Sequence, residues 1–168
     1  MRLSVVFALL ILVVASLESA LGTVSGVDVR PNFTVIFVVF FSHHFPRTRG
    51  GVAAFVMGYL RDLLSGGLMG ANALLMLLLY IGSRATARKL FAHSWLFIAV
   101  SVAAGTFITD AGFFVIARSL PHAVAMPGDF ARRSVLNALV TGAFAPPVWW
   151  CLARLKYWLA LRREEPAT

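Results

Sequence analysis

Seven acidic residues and one cysteine are few for a chain of 168, and each scarcity removes a class of explanation. A lone Cys151 makes no intrachain disulfide and no cysteine-based metal cluster. It lies in an apolar run beside Trp149 and Trp150, where it reads as a small packing residue. Charged residues are only 13% of the chain, whereas a soluble domain carries about a quarter. The formal net charge is +8, yet no basic patch is interleaved with base-stacking aromatics, so nucleic acid is excluded as a partner. There is no H-E-x-x-H helix, no phosphate-binding loop and no nucleophile–base pair. The sequence therefore reads as neither an enzyme nor the holder of a metal or cofactor.

What is present is apolar. Hydrophobic residues make up 60% of the chain and the mean hydropathy is +0.83. One core of this size does not hide that much apolar surface, so the solvent for it is lipid, and the chain reads as an integral membrane protein. An isolated strand in lipid leaves backbone groups unpaired, so the spans are helices. The expected fold is all-α, a single transmembrane domain over residues 1–168 with about six helices.

Arg2 precedes the apolar run Leu3–Leu17, read as a retained first span that extends to Leu21. Gly22–Pro31 is a polar turn, and Asn32-Phe33-Thr34 fits a short glycosylation sequon of little weight. Phe33–Phe45 is a second, short helix. His43, His44, Arg47 and Arg49 close it. Adjacent histidines on a helix point about 100° apart and lack a third ligand, so they read as an interfacial cap rather than a metal site. Gly51–Leu64 and Leu68–Gly82 are the next two spans, followed by a long one from Leu90 to Ala117. Ser119–Arg133 is a loop, and Ser134–Trp158 is the last span.

Six spans with the N-terminus inside place Arg2, Arg47, Arg49, Arg84, Arg88, Lys89, Arg154, Lys156, Arg162 and Arg163 in the cytoplasm. Arg30, Arg61, Arg118, Arg132 and Arg133 fall outside. The bias puts both termini in the cytoplasm, with Trp149, Trp150, Tyr157 and Trp158 as an aromatic belt near the inner face.

The stretch Gly58–Asn72, GYLRDLLSGGLMGAN, holds an arginine, an aspartate and four glycines inside this apolar chain. Gly58, Asp62 and Gly66 recur every four residues and share one helix face. Glycines on such a face let another backbone approach closely, and Asp62 among them needs a partner or a proton. Arg61 points elsewhere, snorkelling outward. Ser65, Gly66 and Gly67 make a turn, Gly70 relaxes it further, and Asn72 enters the next helix able to hydrogen-bond back across.

Phe55–Leu79 resembles the signature of the rod shape-determining protein MreD family, G-x-x-x-D-L-L-S-G-x-P-x-G-x-N/H-A-L. Gly58, Asp62, Leu63, Leu64, Ser65, Gly66, Gly70, Asn72, Ala73 and Leu74 match it, and Leu68 stands where the family has proline, which makes the turn less rigid. Length, hydropathy and the basic C-terminus agree along the whole chain. The resemblance implies a bacterial inner-membrane scaffold working with the bitopic partner MreC, with actin-like MreB and with wall synthases in lateral peptidoglycan synthesis. It also implies a fold similar to the substrate-binding S-components of energy-coupling-factor transporters, and no catalytic residues.

Two further features stand out. Asp110 is a second acid within a span, able to share a proton with Asp62 or to pair with an arginine. Pro146-Pro147 removes two amide donors from the last span, which predicts a helix break there, with Asn137 and Thr141 offering polar contacts one turn apart. A scaffold would use the glycine face and the break to receive a partner helix. The competing reading is a small-molecule receptor whose pocket gathers Asp62, Asn72, Asp110 and Asn137.

Overall fold

A computed structural model describes residues 31–65, 69–87, 95–119 and 129–161. The expected first span at Leu3–Leu21, together with Gly66 and Leu68 of the glycine-rich turn, lies outside the described residues. Those described form five helices and no strand: α1 Phe33–His44, α2 Arg47–Ser65, α3 Ala71–Ala87, α4 Trp95–Arg118 and α5 Phe130–Leu161. Helices α2, α3, α4 and α5 follow one another as neighbours, and α1 packs against all four.

Helix α1 is apolar on every side, as its all-round Phe, Val and Ile sequence requires of an enclosed helix. Every residue from Thr34 to Ser42 is buried. In lipid this burial yields close packing rather than escape from water, so shape decides it. Phe40 sets its edge against Trp149 of α5, with ring centroids 5.1 Å apart, and stacks on His44 at 4.2 Å. Asn32 caps the helix, its Oδ1 accepting from the Val35 amide at 3.3 Å. The helix stops at Phe45, which is extended ahead of Pro46. Its 12 residues rise about 18 Å, short of a hydrocarbon core about 30 Å thick.

The terminal carbonyls of α1 are satisfied from inside the bundle. Arg84 Nη1 donates to the carbonyls of Ser42 at 3.2 Å and Phe45 at 2.7 Å, and to the Tyr80 hydroxyl at 3.1 Å. His43 and His44 turn their Nδ1 atoms to the carbonyls of Val39 and Phe40. The histidine pair thus finishes a helix, and no group of three potential metal ligands occurs among the described residues.

Among the described residues, helices α4 and α5 are the two long and apolar enough to cross a membrane, and only 22% and 28% of their most apolar windows are buried within the chain. The remainder, including Leu96, Val100, Ile108, Val115, Leu139 and Phe144, faces outward, as lipid contact requires. Helix α5 begins at Phe130, inside the stretch read as a loop, because Asp129 accepts from the Arg133 amide and starts the helix before its apolar part. It then runs unbroken through Pro146 and Pro147, so the expected helix break is absent. Proline's fixed φ suits a helix, and a neighbouring helix compensates for the missing amides in membranes. Here Ala145 is fully buried, and a Cβ on Gly142 would come within 3.0 Å of the Ala99 carbonyl and the Ala103 Cβ of α4. Cys151 is exposed on this helix rather than packed.

Candidate functional site

The motif residues converge where α2 ends and α3 begins. Gly58 is there for closeness. A Cβ on it would sit 2.5 Å from both the Ala73 Cα and the Asn72 carbonyl, so α2 and α3 touch backbone to backbone. One turn further on, Asp62 is 1% exposed and meets the N-terminus of α3. Its Oδ2 accepts from the amides of Gly70 at 2.9 Å and Ala73 at 3.2 Å. Its Oδ1 accepts from the Asn72 amide at 3.2 Å and the Asn72 side chain at 2.9 Å.

A helix leaves its first amides without internal partners and carries partial positive charge there. Asp62 answers both needs across the hairpin, doing from eight to eleven residues away what a local cap does from one or two. The turn needs Gly70 for a separate reason: its φ is +90°, with nothing within 4 Å of a would-be Cβ, so backbone conformation rather than space selects glycine.

A second polar cluster lies at the same end of the bundle. Arg61 turns inward, contrary to the expected snorkelling, and its Nη1 donates to Asn32 Oδ1 at 2.8 Å. The Asn32 amide donates to Thr141 Oγ1 at 2.9 Å, and that hydroxyl donates to the Asn137 carbonyl at 2.6 Å. Ser134 Oγ donates to Asp110 Oδ2 at 3.2 Å, Asn137 hydrogen-bonds to the same carboxyl, and Arg61 presents the opposing charge. Thus α1, α2, α4 and α5 are joined by one chain of polar contacts. Burying these groups in an apolar surround is tolerable only because they satisfy each other.

The two acids take different company. Asp62 is held by the amides at the head of α3, whereas Asp110 accepts from Ser134 and Asn137 and feels the charge of Arg61. The face carrying Gly58 and Asp62 is turned to α3 within the chain and is closed to a partner helix. The close backbone approach of α2 and α3 fills it. Ser65 ends α2. The Asn32 sequon is equally inaccessible: Asn32 is 5% and Thr34 is 1% exposed. Asn32, Ser134 and Thr141 were not singled out as a connected set by sequence reasoning. The one local signal was Asn32, an asparagine standing before an apolar helix in the position of an N-cap.

Chemically the arrangement is a pair of clasps. Asp62, Asn72, Asp110 and Asn137 spend hydrogen bonds on one another's helices. A family model described as rod shape-determining protein MreD matches residues 1–155. No curated protein and no solved structure matches the chain.

Proposed function

The chain belongs to the rod shape-determining protein MreD family, a family of bacterial membrane proteins, and from that premise we propose that it is a non-enzymatic scaffold of the rod-shape complex. It sits in the inner membrane with both termini in the cytoplasm. It binds an MreC-like bitopic protein and, with actin-like MreB and the wall synthases, helps to organise lateral peptidoglycan synthesis. The observation that supports this reading is where the polar groups go. The motif's carboxylate and amides are consumed inside the α2–α3 hairpin, which makes the motif a device for rigidity. A rigid bundle with an apolar exterior has lateral helix packing to offer a partner.

That exterior includes a stripe on α2 formed by Val52, Phe55, Val56, Tyr59 and Leu63, all exposed and spaced to share one face. With the Gly58 face closed, partner contact falls on outward surfaces of this kind. The test is affinity purification of the tagged chain from native membranes, with identification of what accompanies it. An MreC-like protein retained in stoichiometric amount supports the scaffold. A retained water-soluble small molecule, bilayer lipid aside, with no protein companion overturns it in favour of a receptor.

A further inference from the structure

The end of the bundle opposite Asp62 has a groove of about 390 Å³ between α2 and α3, lined by Arg47, Gly51, Leu77, Tyr80, Ile81, Arg84 and Ala85. Its walls are largely apolar, its mouth carries two arginines, and it is open beside the exposed Ile81. We propose that this groove binds an anionic phospholipid, with the phosphate held by Arg47 and Arg84 and an acyl chain laid against Leu77, Ile81 and Ala85.

Charge argues for an anion. The acids among the described residues, Asp62, Asp110 and Asp129, all belong to the opposite end of the bundle. Arg47, Arg49, Arg84, Arg154 and Lys156 share the groove's end, so the charged side chains described there are all basic. The state of Arg84 argues for a specific contact. Its Nη1 is committed to the Ser42 and Phe45 carbonyls and to Tyr80, and this fixes the guanidinium in place. Nη2 takes part in none of these bonds, while Nε is buried without a partner. A guanidinium held rigidly by one arm loses little freedom on accepting a phosphate with another. Tyr80 is wedged against Gly50, where a Cβ would meet its ring and hydroxyl within 3.0 Å, so the groove floor is equally fixed.

Shape argues for a lipid rather than a free ion. Gly51 leaves the floor open, since a Cβ there would touch only Tyr80 and Leu77 at ordinary contact distance. Ile81 is 56% exposed along the wall, with Ala85 one turn further on. An inorganic anion would leave that apolar length unused. A phospholipid places charge and chain in the order in which the groove presents arginine and leucine.

The test is retention and thermal response of the full chain in mild detergent. Wild-type protein is expected to carry phosphatidylglycerol or cardiolipin through gel filtration. After delipidation it should gain melting temperature on adding phosphatidylglycerol, but not on adding phosphatidylcholine or inorganic phosphate. Arg47→Gln removes an exposed charge and Ile81→Trp fills the groove, and neither touches the α1 cap. Each should lower retained anionic lipid, Arg47→Gln by about fivefold, the worth of one basic residue at an anionic surface. Each should leave the lipid-free melting temperature unchanged. Equal stabilisation by phosphatidylcholine, full effect from inorganic phosphate, or undiminished retention in both variants overturns the proposal.

Discussion

Replacing Asp62 with alanine should loosen the bundle more than any single loss of an ordinary cap. Removing an ordinary N-cap costs about 1 kcal/mol. Asp62 instead accepts four bonds at 2.9–3.2 Å while 1% exposed, and three come from backbone amides at the head of α3. Each bond to a charged acceptor contributes about 1.5–3 kcal/mol, and each buried amide left alone costs about 1–3 kcal/mol. These figures do not add, since the Met69–Gly70 turn can shift to rehydrate some donors. A net loss of about 3–5 kcal/mol, from two or three buried amides left without an acceptor, is the expected outcome. For a chain of this length that lowers the melting temperature by about 6–20 °C.

Asp62→Asn separates charge from shape. It keeps one oxygen, so at most one of the two donor pairs survives, and it turns an amide toward the other pair. Its loss should be about half that of alanine. Fluorescence-detected gel filtration of heated, detergent-solubilised protein reads both variants. A wild type > Asn > Ala order supports the clasp. A shift below about 2 °C for Asp62→Ala would refute it, being the effect of an ordinary surface substitution on a chain this size. A carboxylate kept for a partner would behave in that second way, with the isolated chain unaffected and only co-purification lost.

Two further outcomes follow from the packing. Gly58→Leu should cost at least as much as overpacking a tight core, about 1–3 kcal/mol, because its Cβ would meet backbone atoms at 2.5 Å. Gly82→Ala, with nothing within 4 Å, should be neutral or stabilise by up to about 1 kcal/mol in the same melt. Arg61→Gln should destabilise by weakening the bond to Asn32 and removing the positive charge near Asp110. Adding Asp110→Asn should recover part of that loss, and a double-mutant cycle should show coupling of about 0.5–3 kcal/mol. Strict additivity would show that the two residues act apart.

Much of the architecture could be read from local pattern. Helices were expected because lipid forbids unpaired backbone, and the described residues hold helices alone. The α2–α3 hairpin was legible because glycines and a lone aspartate at four-residue spacing have few uses inside an apolar helix. The depth of α1 was less visible. Its all-apolar sequence fits lipid exposure and complete enclosure equally well, and only the neighbours decide between them. Span lengths also misled. Arg132 and Arg133 looked like loop, yet an amide-to-carbonyl bond from Arg133 to Asp129 begins the helix ahead of its apolar part.

Direction and long-range company were the illegible part. Nothing near Arg61 in the chain says whether it reaches outward or inward, because its partner Asn32 stands at the head of α1. Asn32 and Thr141 are 109 positions apart, and their bond exists only because α1 and α5 start at the same end. The same limit explains the glycine face. Spacing shows that Gly58 and Asp62 can receive a helix, but not whose. The answer here is the next helix of the same chain, which arrives with three free amides and so needs the carboxylate that the spacing left unexplained. A motif of this kind secures the hairpin first. Whatever the bundle does for a partner it does through surfaces that the motif holds rigid, so a lesion at Asp62 should lower stability and partner retention together, whereas a lesion confined to the outer stripe of α2 should lower retention alone.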